Sequence, residues 1–355
     1  MDIEQVWTNW LNAEEDSYAD TFSGTFIVSN EQGIIYEKCQ GFRNRSESLP
    51  NNADTAFGIA SGTKMFTGLA ICKLIEEKKL SLEDKIWDIL PHNLGHVDKR
   101  VTIFHLLTHS SGVGDFMDEE DDDVIEKLQA LYTRYPVHLW VNMEYYLQLF
   151  THLPPKFEPG ARYGYSNTGY VLLGLVIEAV SGRGYQDYIT EEIIVPNHLT
   201  HTGFYRMNML PANVAQGYTQ DEETGECRSN IYEIPIIGAS EGGLFSCAKD
   251  LDKLWRALIA NKILSPDMTK TFLTPHITRD EEYSARHYCF GLYLYKDDED
   301  DDDEQEFYYA LGCDAGVNIF SVYFPKFGIT ASALCNLENA EVIPLMYELA
   351  DLLYA

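Results

Sequence analysis

Basic side chains are scarce in this chain. Among its 355 residues, 26 lysines and arginines face 56 aspartates and glutamates, a formal charge of −30. A surface of that sign repels phosphate backbones and anionic lipid, so neither nucleic acid nor a membrane surface is expected as a partner. Long apolar runs are missing too. No window approaches the ~20 apolar residues that span a bilayer. The start "MDIEQVWTNWLNAEEDSYAD" has neither a basic leader nor an apolar run of signal-peptide length. The seven cysteines (Cys39, Cys72, Cys227, Cys247, Cys289, Cys313, Cys335) are odd in number, scattered and never in a C-x-x-C pair. That pattern fits neither a disulfide framework nor a zinc site. A reducing, cytoplasmic setting and a chain without metal or cofactor are the resulting expectations.

What is present is ordinary in bulk and uneven in charge. An apolar share of 45% suits a globular protein, and a prior of about 150 residues per domain suggests two units or one carrying an insertion. Much of the acid sits in "DEEDDD" at 118–123 and "DDEDDDDEQE" at 297–306. Both blocks read as solvated loops. They become a field favouring cationic substrates only where they border a site. His105 and His109, and His198 and His201, have spacings that could ligate a metal, but no acidic or cysteine companion at suitable spacing, and read as packing or surface residues.

Along the chain, an opening amphipathic helix precedes "SGTFIVSN" and "GIIYEKCQGF", a hairpin turning at "EQG". Apolar positions 65, 66, 69, 70, 71, 74 and 75 then predict a helix over 61–78 with Ser61 at its N-cap. Further helices are predicted around 101–108, 124–134, 139–150, 166–181, 184–193 and 247–261, with "HLLTHSSG" a short helix ending at Gly112. Strand character returns in "HYCFGLYLYK", "EFYYAL", "VNIFSVYFP" and "GITASALCN", before a closing helix. Strands at both ends with helices between them imply an α+β fold: an antiparallel sheet flanked by helices, with an inserted helical subdomain. The expected division is a sheet domain from 1–80 and 235–355 and a helical subdomain from 81–234.

Two stretches carry chemistry. In "FGIASGTKMFTG", Ser61 and Lys64 are three apart at a helix start, so one turn sets the ammonium beside the hydroxyl. A lysine whose pKa is lowered by burial can help take a serine's proton. Taken alone, such a pair is more often an N-cap serine with a surface lysine. Here it follows a hairpin and opens a markedly apolar helix, which would bury Lys64 or leave it in a cleft. In "FEPGARYGYSNTGYVLLGLVIEAVSG", Tyr165 and Asn167 stand two apart on an extended segment and point to one side. A phenol near a lysine can shuttle a proton and an amide can grip an acyl group. The bland reading is a packed tyrosine and an N-cap asparagine.

Together with "VTIFHLLTHSSGVGDF" and "EGGLFSCAKDLDKLW", these stretches resemble the serine beta-lactamase and penicillin-binding protein superfamily, in its class C beta-lactamase, D-alanyl-D-alanine carboxypeptidase and esterase branch. The resemblance covers nearly the whole chain. It implies an antiparallel sheet with flanking helices and an acyl-serine intermediate on a small-molecule ester, amide or peptide substrate. Ser61 becomes the nucleophile, Lys64 and Tyr165 share the acid and base work, and Asn167 orients the acyl side chain.

The family's third motif, Lys-Thr-Gly or His-Thr-Gly on a strand edging the groove, aligns on "GCDAGV" so that Cys313, Asp314 and Ala315 take its places, with Gly316 N–H and Ser61 N–H as oxyanion donors. Asp314 would repel a substrate carboxylate, at up to ~4 kcal/mol for like charges ~4 Å apart. An esterase or amidase is therefore expected over an efficient beta-lactamase. The alternative is a penicillin-binding or catalytically silent member. A thiol nucleophile at Cys313 is disfavoured, because the adjacent carboxylate raises its pKa.

Overall fold

The computed structural model describes residues 2–12, 22–221, 224–279, 286–296 and 305–355. The eight-stranded sheet is built from both ends of the chain: β1 (Gly24–Asn30), β2 (Gly33–Gln40), β3 (Ile277–Thr278), β4 (Arg286–Tyr288), β5 (Tyr293–Lys296), β6 (Glu306–Asp314), β7 (Val317–Phe324) and β8 (Ile329–Cys335). Its order is β2-β1-β8-β7-β6-β5-β4-β3, and every pairing is antiparallel. Successive side chains on a strand face opposite ways. Phe26, Val28, Phe320, Val322 and Phe324 thus pack with the terminal helices, whereas Ile27, Val317 and Ile319 join the larger core on the other face.

The terminal cover consists of α1 (Ile3–Leu11), whose Trp7 and Trp10 are buried, together with the chain's last helix. The opposite face packs on α2 (Thr63–Glu76), α3 (Asn167–Ser181) and α4 (Ala248–Ile259), with Trp255 of α4 donating to Ser321 of β7 at 2.9 Å. Residues 63–72 of α2 are all buried, so this helix is apolar all round and runs through the core. No helix among the described residues is long and apolar enough to cross a membrane.

Several expectations are corrected. The stretch 139–150 is broken into turns at Val137–Leu139 and Met143–Tyr146 and a short helix Leu147–Phe150, because Asn142 takes an extended conformation and caps Tyr145. "HYCFGLYLYK" is two strands: Gly291, at φ +94°, dips against α2, where a Cβ would stand 2.4 Å from the Lys64 carbonyl oxygen. The helix near "HLLTHSSG" spans only Ile103–Leu107, and His109 adopts φ +54° just beyond it. Residues 297–304 of the second acidic block lie outside the described residues.

Candidate active site

Ser61 is not the side-chain cap of α2. It sits in the tight turn Ala60–Gly62, entered through a non-glycine residue in the left-handed region, Ala60 at φ +43°. That conformation costs ~1–3 kcal/mol and persists only where the surroundings enforce it. Here they do. Ile59 N–H donates to Leu244 O at 2.8 Å, Thr63 Oγ1 donates to Ala60 O at 2.7 Å, and Leu244 N–H donates to Thr63 Oγ1 at 3.0 Å. The turn is thereby tied to the segment at 241–246.

One helical turn on, Lys64 is 1% exposed. Its Nζ lies 3.0 Å from Ser61 Oγ, 2.8 Å from Asn167 Oδ1 and 2.7 Å from the Glu241 carbonyl oxygen. Burial lowers this amine to about 8, against the opposing pull of the Glu119, Glu241, Asp115 and Asp314 charges. On the other side of the serine, the Tyr165 hydroxyl donates to Ser61 Oγ at 2.8 Å. Burial holds this phenol well above its ordinary value, so it stays protonated. The Lys64 ammonium position also lies 4.8 Å from the centre of the Tyr165 ring.

The loop carrying Tyr165 and Asn167 is held by the "THSSGVGD" segment. His109 O accepts Gly164 N–H at 2.8 Å, and His109 Nδ1 accepts Ser166 N–H at 3.1 Å. The buried His109 ring packs 4.4 Å from that of Tyr165. Asp115, also buried, accepts Asn167 N–H at 2.7 Å, Thr168 N–H at 3.1 Å and Thr168 Oγ1 at 2.9 Å. Ser166, not Asn167, caps α3. The Asn167 amide is left to bridge Lys64 on one side and Met117 O and Glu119 Oε1 on the other, at 3.3 and 3.5 Å. The first acidic block therefore reaches the groove through Glu119.

The strand wall is β6. Gly312 is its point of closest approach to the serine turn, since a Cβ there would stand 2.1 Å from Ile59 O. The two-residue loop between Asp314 and Val317 makes those residues a hydrogen-bonded pair, so with period two Gly312 and Ala310 also bond to β7. Leu311 and Cys313 then turn their N–H groups to the opposite edge, where β5 pairing ends at Tyr293 with Tyr309. Gly316, expected as an oxyanion donor, lies in the loop at the hairpin's end, where a Cβ would meet Tyr218 N at 2.4 Å, and it lines the same cavity as Ser61.

The structure thus brings Ser61, Lys64, Tyr165 and Asn167 into one constellation, with Cys313 and Asp314 lining the same groove. The Cys313 thiol is pushed up to about 11 by desolvation and then by the Asp314 carboxylate, and Asp314 itself is raised to about 6 by burial. Asp115 and Glu241 were not singled out from sequence, and His109 was read there as a packing or surface residue. Nothing but their distance from the apolar periodicity marks them. Among the described residues there is no group of three or more histidine, cysteine, aspartate or glutamate side chains able to hold a metal.

Residues 11–353 match the Beta-lactamase family. The chain is 31% identical over 268 residues to penicillin-binding protein 4* of Bacillus subtilis (strain 168), covering 72% of this chain and 56% of that protein. It spans about half the length of the curated relatives it matches. A penicillin-binding protein from Bacillus halodurans superposes with a TM-score of 0.85 at 32% identity over 99% of both chains. A D-stereospecific amidohydrolase from Streptomyces sp. shares the fold, with a TM-score of 0.80 at 22% identity over 98% of each. The chain belongs to the Beta-lactamase family, within the serine beta-lactamase and penicillin-binding protein superfamily.

Proposed function

We propose that the protein is a serine hydrolase that transfers the acyl group of an ester or amide to Ser61 and then to water. The observation that carries this reading is the placement of Ser61 Oγ between Lys64 Nζ at 3.0 Å and the Tyr165 hydroxyl at 2.8 Å.

A neutral amine has two N–H donors and one lone pair. Asn167 Oδ1 and Glu241 O each accept one of Lys64's hydrogens, which leaves its lone pair for the Ser61 proton. Burial favours the protonated form of Tyr165, which suits it to the donor's part in this scheme. In this scheme Lys64 takes the serine proton as Oγ bonds to the substrate carbonyl, and the negative charge collects on the carbonyl oxygen. Tyr165 then gives its proton to the departing oxygen or nitrogen as the scissile bond breaks, and is reprotonated from Lys64. Water repeats the sequence on the acyl-serine.

For the oxyanion hole, the register of β6 favours Cys313 N–H in place of Gly316, paired with Ser61 N–H at the start of the helical turn, where donors lack intrahelical partners. Aligning the family triplet's glycine on Gly312 places Ala310 and Leu311 at the cationic and hydroxyl positions. No carboxylate-binding pair remains there, which supports an esterase or amidase over an efficient beta-lactamase. Asn167 Nδ2, facing Met117 and Glu119, is positioned for the acyl side chain.

The test is hydrolysis of a short-chain ester by the wild type and Ser61→Ala. Retention of wild-type activity in the alanine variant sinks the proposal. A second reading, acylation without turnover, draws on the similarity to penicillin-binding protein 4*. Intact mass after exposure to a fluorescent penicillin separates the two: a persistent adduct supports the binder, and a transient one supports the hydrolase.

A further inference from the structure

The stretch from Met117 through the first acidic block walls the groove, yet the core has little hold on it. Phe116 is buried, but Met117 and Asp118 are half-buried, Glu119 and Glu120 are exposed, and no residue of the following helix, Val124–Arg134, is buried. Polar contacts must therefore place this wall. Asn167 Nδ2 donates to Met117 O at 3.3 Å and to Glu119 Oε1 at 3.5 Å, and Met117 N–H donates to Asp115 Oδ1 at 3.4 Å. All three are at the long, weak end of the hydrogen-bond range. Like charge works against them, because Asp118 and Glu120 flank Glu119 in the chain while Asp314 and Glu241 line the same cavity as Glu119.

Lys156 offsets this repulsion. Its Nζ lies 2.7 Å from Asp118 Oδ1 and 3.0 Å from Glu120 Oε2, so it bridges the two carboxylates on either side of Glu119. The lysine side chain is only 17% exposed, which leaves the pairing less screened than one at the surface. Arg162, the more exposed cation near Glu120 at 3.7 Å, adds less. The base of the lysine is fixed by backbone: Lys156 N–H donates to Gly112 O at 2.7 Å, and further along the same stretch Gly160 N–H donates to Ser110 O and Gly164 N–H to His109 O, both at 2.8 Å. Lys156 thus stands on the strip of chain that also carries Tyr165.

We propose that Lys156 is a positioning residue, a latch that holds the acidic wall over the groove so that Met117 and Glu119 keep the Asn167 amide set for the acyl side chain. Its bonds run to Gly112, Asp118 and Glu120 and bypass Ser61, Lys64 and Tyr165. Losing the latch should weaken recognition of the acyl side chain and leave the bond-breaking step alone. The inference rests on the reading of Ser61 as the acylated residue and of Asn167 as its acyl-side partner.

The test uses two para-nitrophenyl esters, one of an N-acetylated amino acid, whose acyl amide can meet Asn167, and one of acetic acid, which has no such group. Lys156→Met keeps the stem and loses the charge, and it should raise KM for the first ester by about tenfold with kcat within about twofold, while changing the acetate little. Lys156→Arg keeps the charge and should stay within about threefold of the wild type on both. An unchanged KM in Lys156→Met, an equal loss on the two esters, or an arginine variant as impaired as the methionine one overturns the inference. A second arm needs no substrate: backbone amides of 117–123 should exchange hydrogen about tenfold faster in Lys156→Met than in the wild type or Lys156→Arg. Equal exchange in all three overturns the latch, whichever way the serine reading fares. Undiminished ester hydrolysis by Ser61→Ala removes that serine reading alone, and the exchange arm still decides the latch.

Discussion

Lys64 meets Ser61 from inside the core: its Nζ lies 3.0 Å from Ser61 Oγ although the side chain is 1% exposed. Burial, the first cause, lowers the amine to about 8. The free base therefore forms as pH rises through that value, and about a tenth of the molecules hold it at neutral pH. We expect kcat/KM for a neutral ester to rise nearly tenfold per pH unit below about 8 and to level off above it. A pH profile over that range checks this, with a flat profile counting against Lys64 as base. Lys64→Arg, which cannot deprotonate, should lose at least about a hundredfold.

Tyr165 is held protonated by burial and donates to Ser61 Oγ. Its role in the proposed scheme is to supply the leaving group with a proton, and leaving groups differ in how much they need one. Tyr165→Phe should slow amide hydrolysis by about 10²–10⁴ in kcat. A nitrophenyl ester, whose phenolate departs without help, should be slowed far less. Parallel rates on the two substrates decide the matter, and an equal loss on both would falsify the donor role.

The wall opposite separates side chain from backbone. Cys313 enters the proposed oxyanion hole through its N–H, so Cys313→Ala should stay within a few-fold of the wild type and iodoacetamide should leave the acyl transfer in place. Gly312→Ala is different, because its Cβ would stand 2.1 Å from Ile59 O, and backbone on both sides must yield. Displacing the strand from the serine turn should cost about 10²–10³ in kcat, the scale of a lost oxyanion donor. Full activity in Gly312→Ala would remove β6 from the site.

What was legible in the sequence was whatever a short segment dictates by itself. The Ser61 to Lys64 spacing closes over one helical turn, and the strands of the C-terminal hairpins show their alternation directly. The loop at 160–168 and the helix start after it were equally local. The proposed position of the third motif was not, because "GCDAGV" offers two glycines, and the reading adopted for Gly312 draws on its tertiary approach to Ile59. Asp115 and Glu241, and the part His109 plays beyond packing, escaped for a similar reason. Each acts through contacts with segments distant in the chain, and no spacing rule connects Asp115 to Asn167 or Glu241 to Lys64. The Ser61 cap was misplaced because the turn at 60–62 reaches into the groove before α2 begins.

Asp115 offers a stability test of that hidden scaffold. It accepts the backbone N–H groups of Met117, Asn167 and Thr168 and the Thr168 hydroxyl, and burial still raises its carboxyl to about 6. Removing the acceptor in Asp115→Ala leaves those donors unpaired and should destabilise the fold by about 2–4 kcal/mol, read as a lower urea midpoint at unchanged slope. The sign of the pH effect follows from the direction of the shift. A carboxyl raised in the folded state binds its proton more tightly there than in the unfolded chain, so its contribution to stability is present at low pH and is lost as pH rises through about 6. Asp115→Asn keeps an acceptor oxygen and has no proton to lose. The stability difference between wild type and Asp115→Asn should therefore shift toward the variant from about pH 5 to about pH 8. Urea titrations of both proteins at the two ends measure it, and a difference that stays constant, or moves the other way, would show that Asp115 is ionised in the fold as readily as in the open chain.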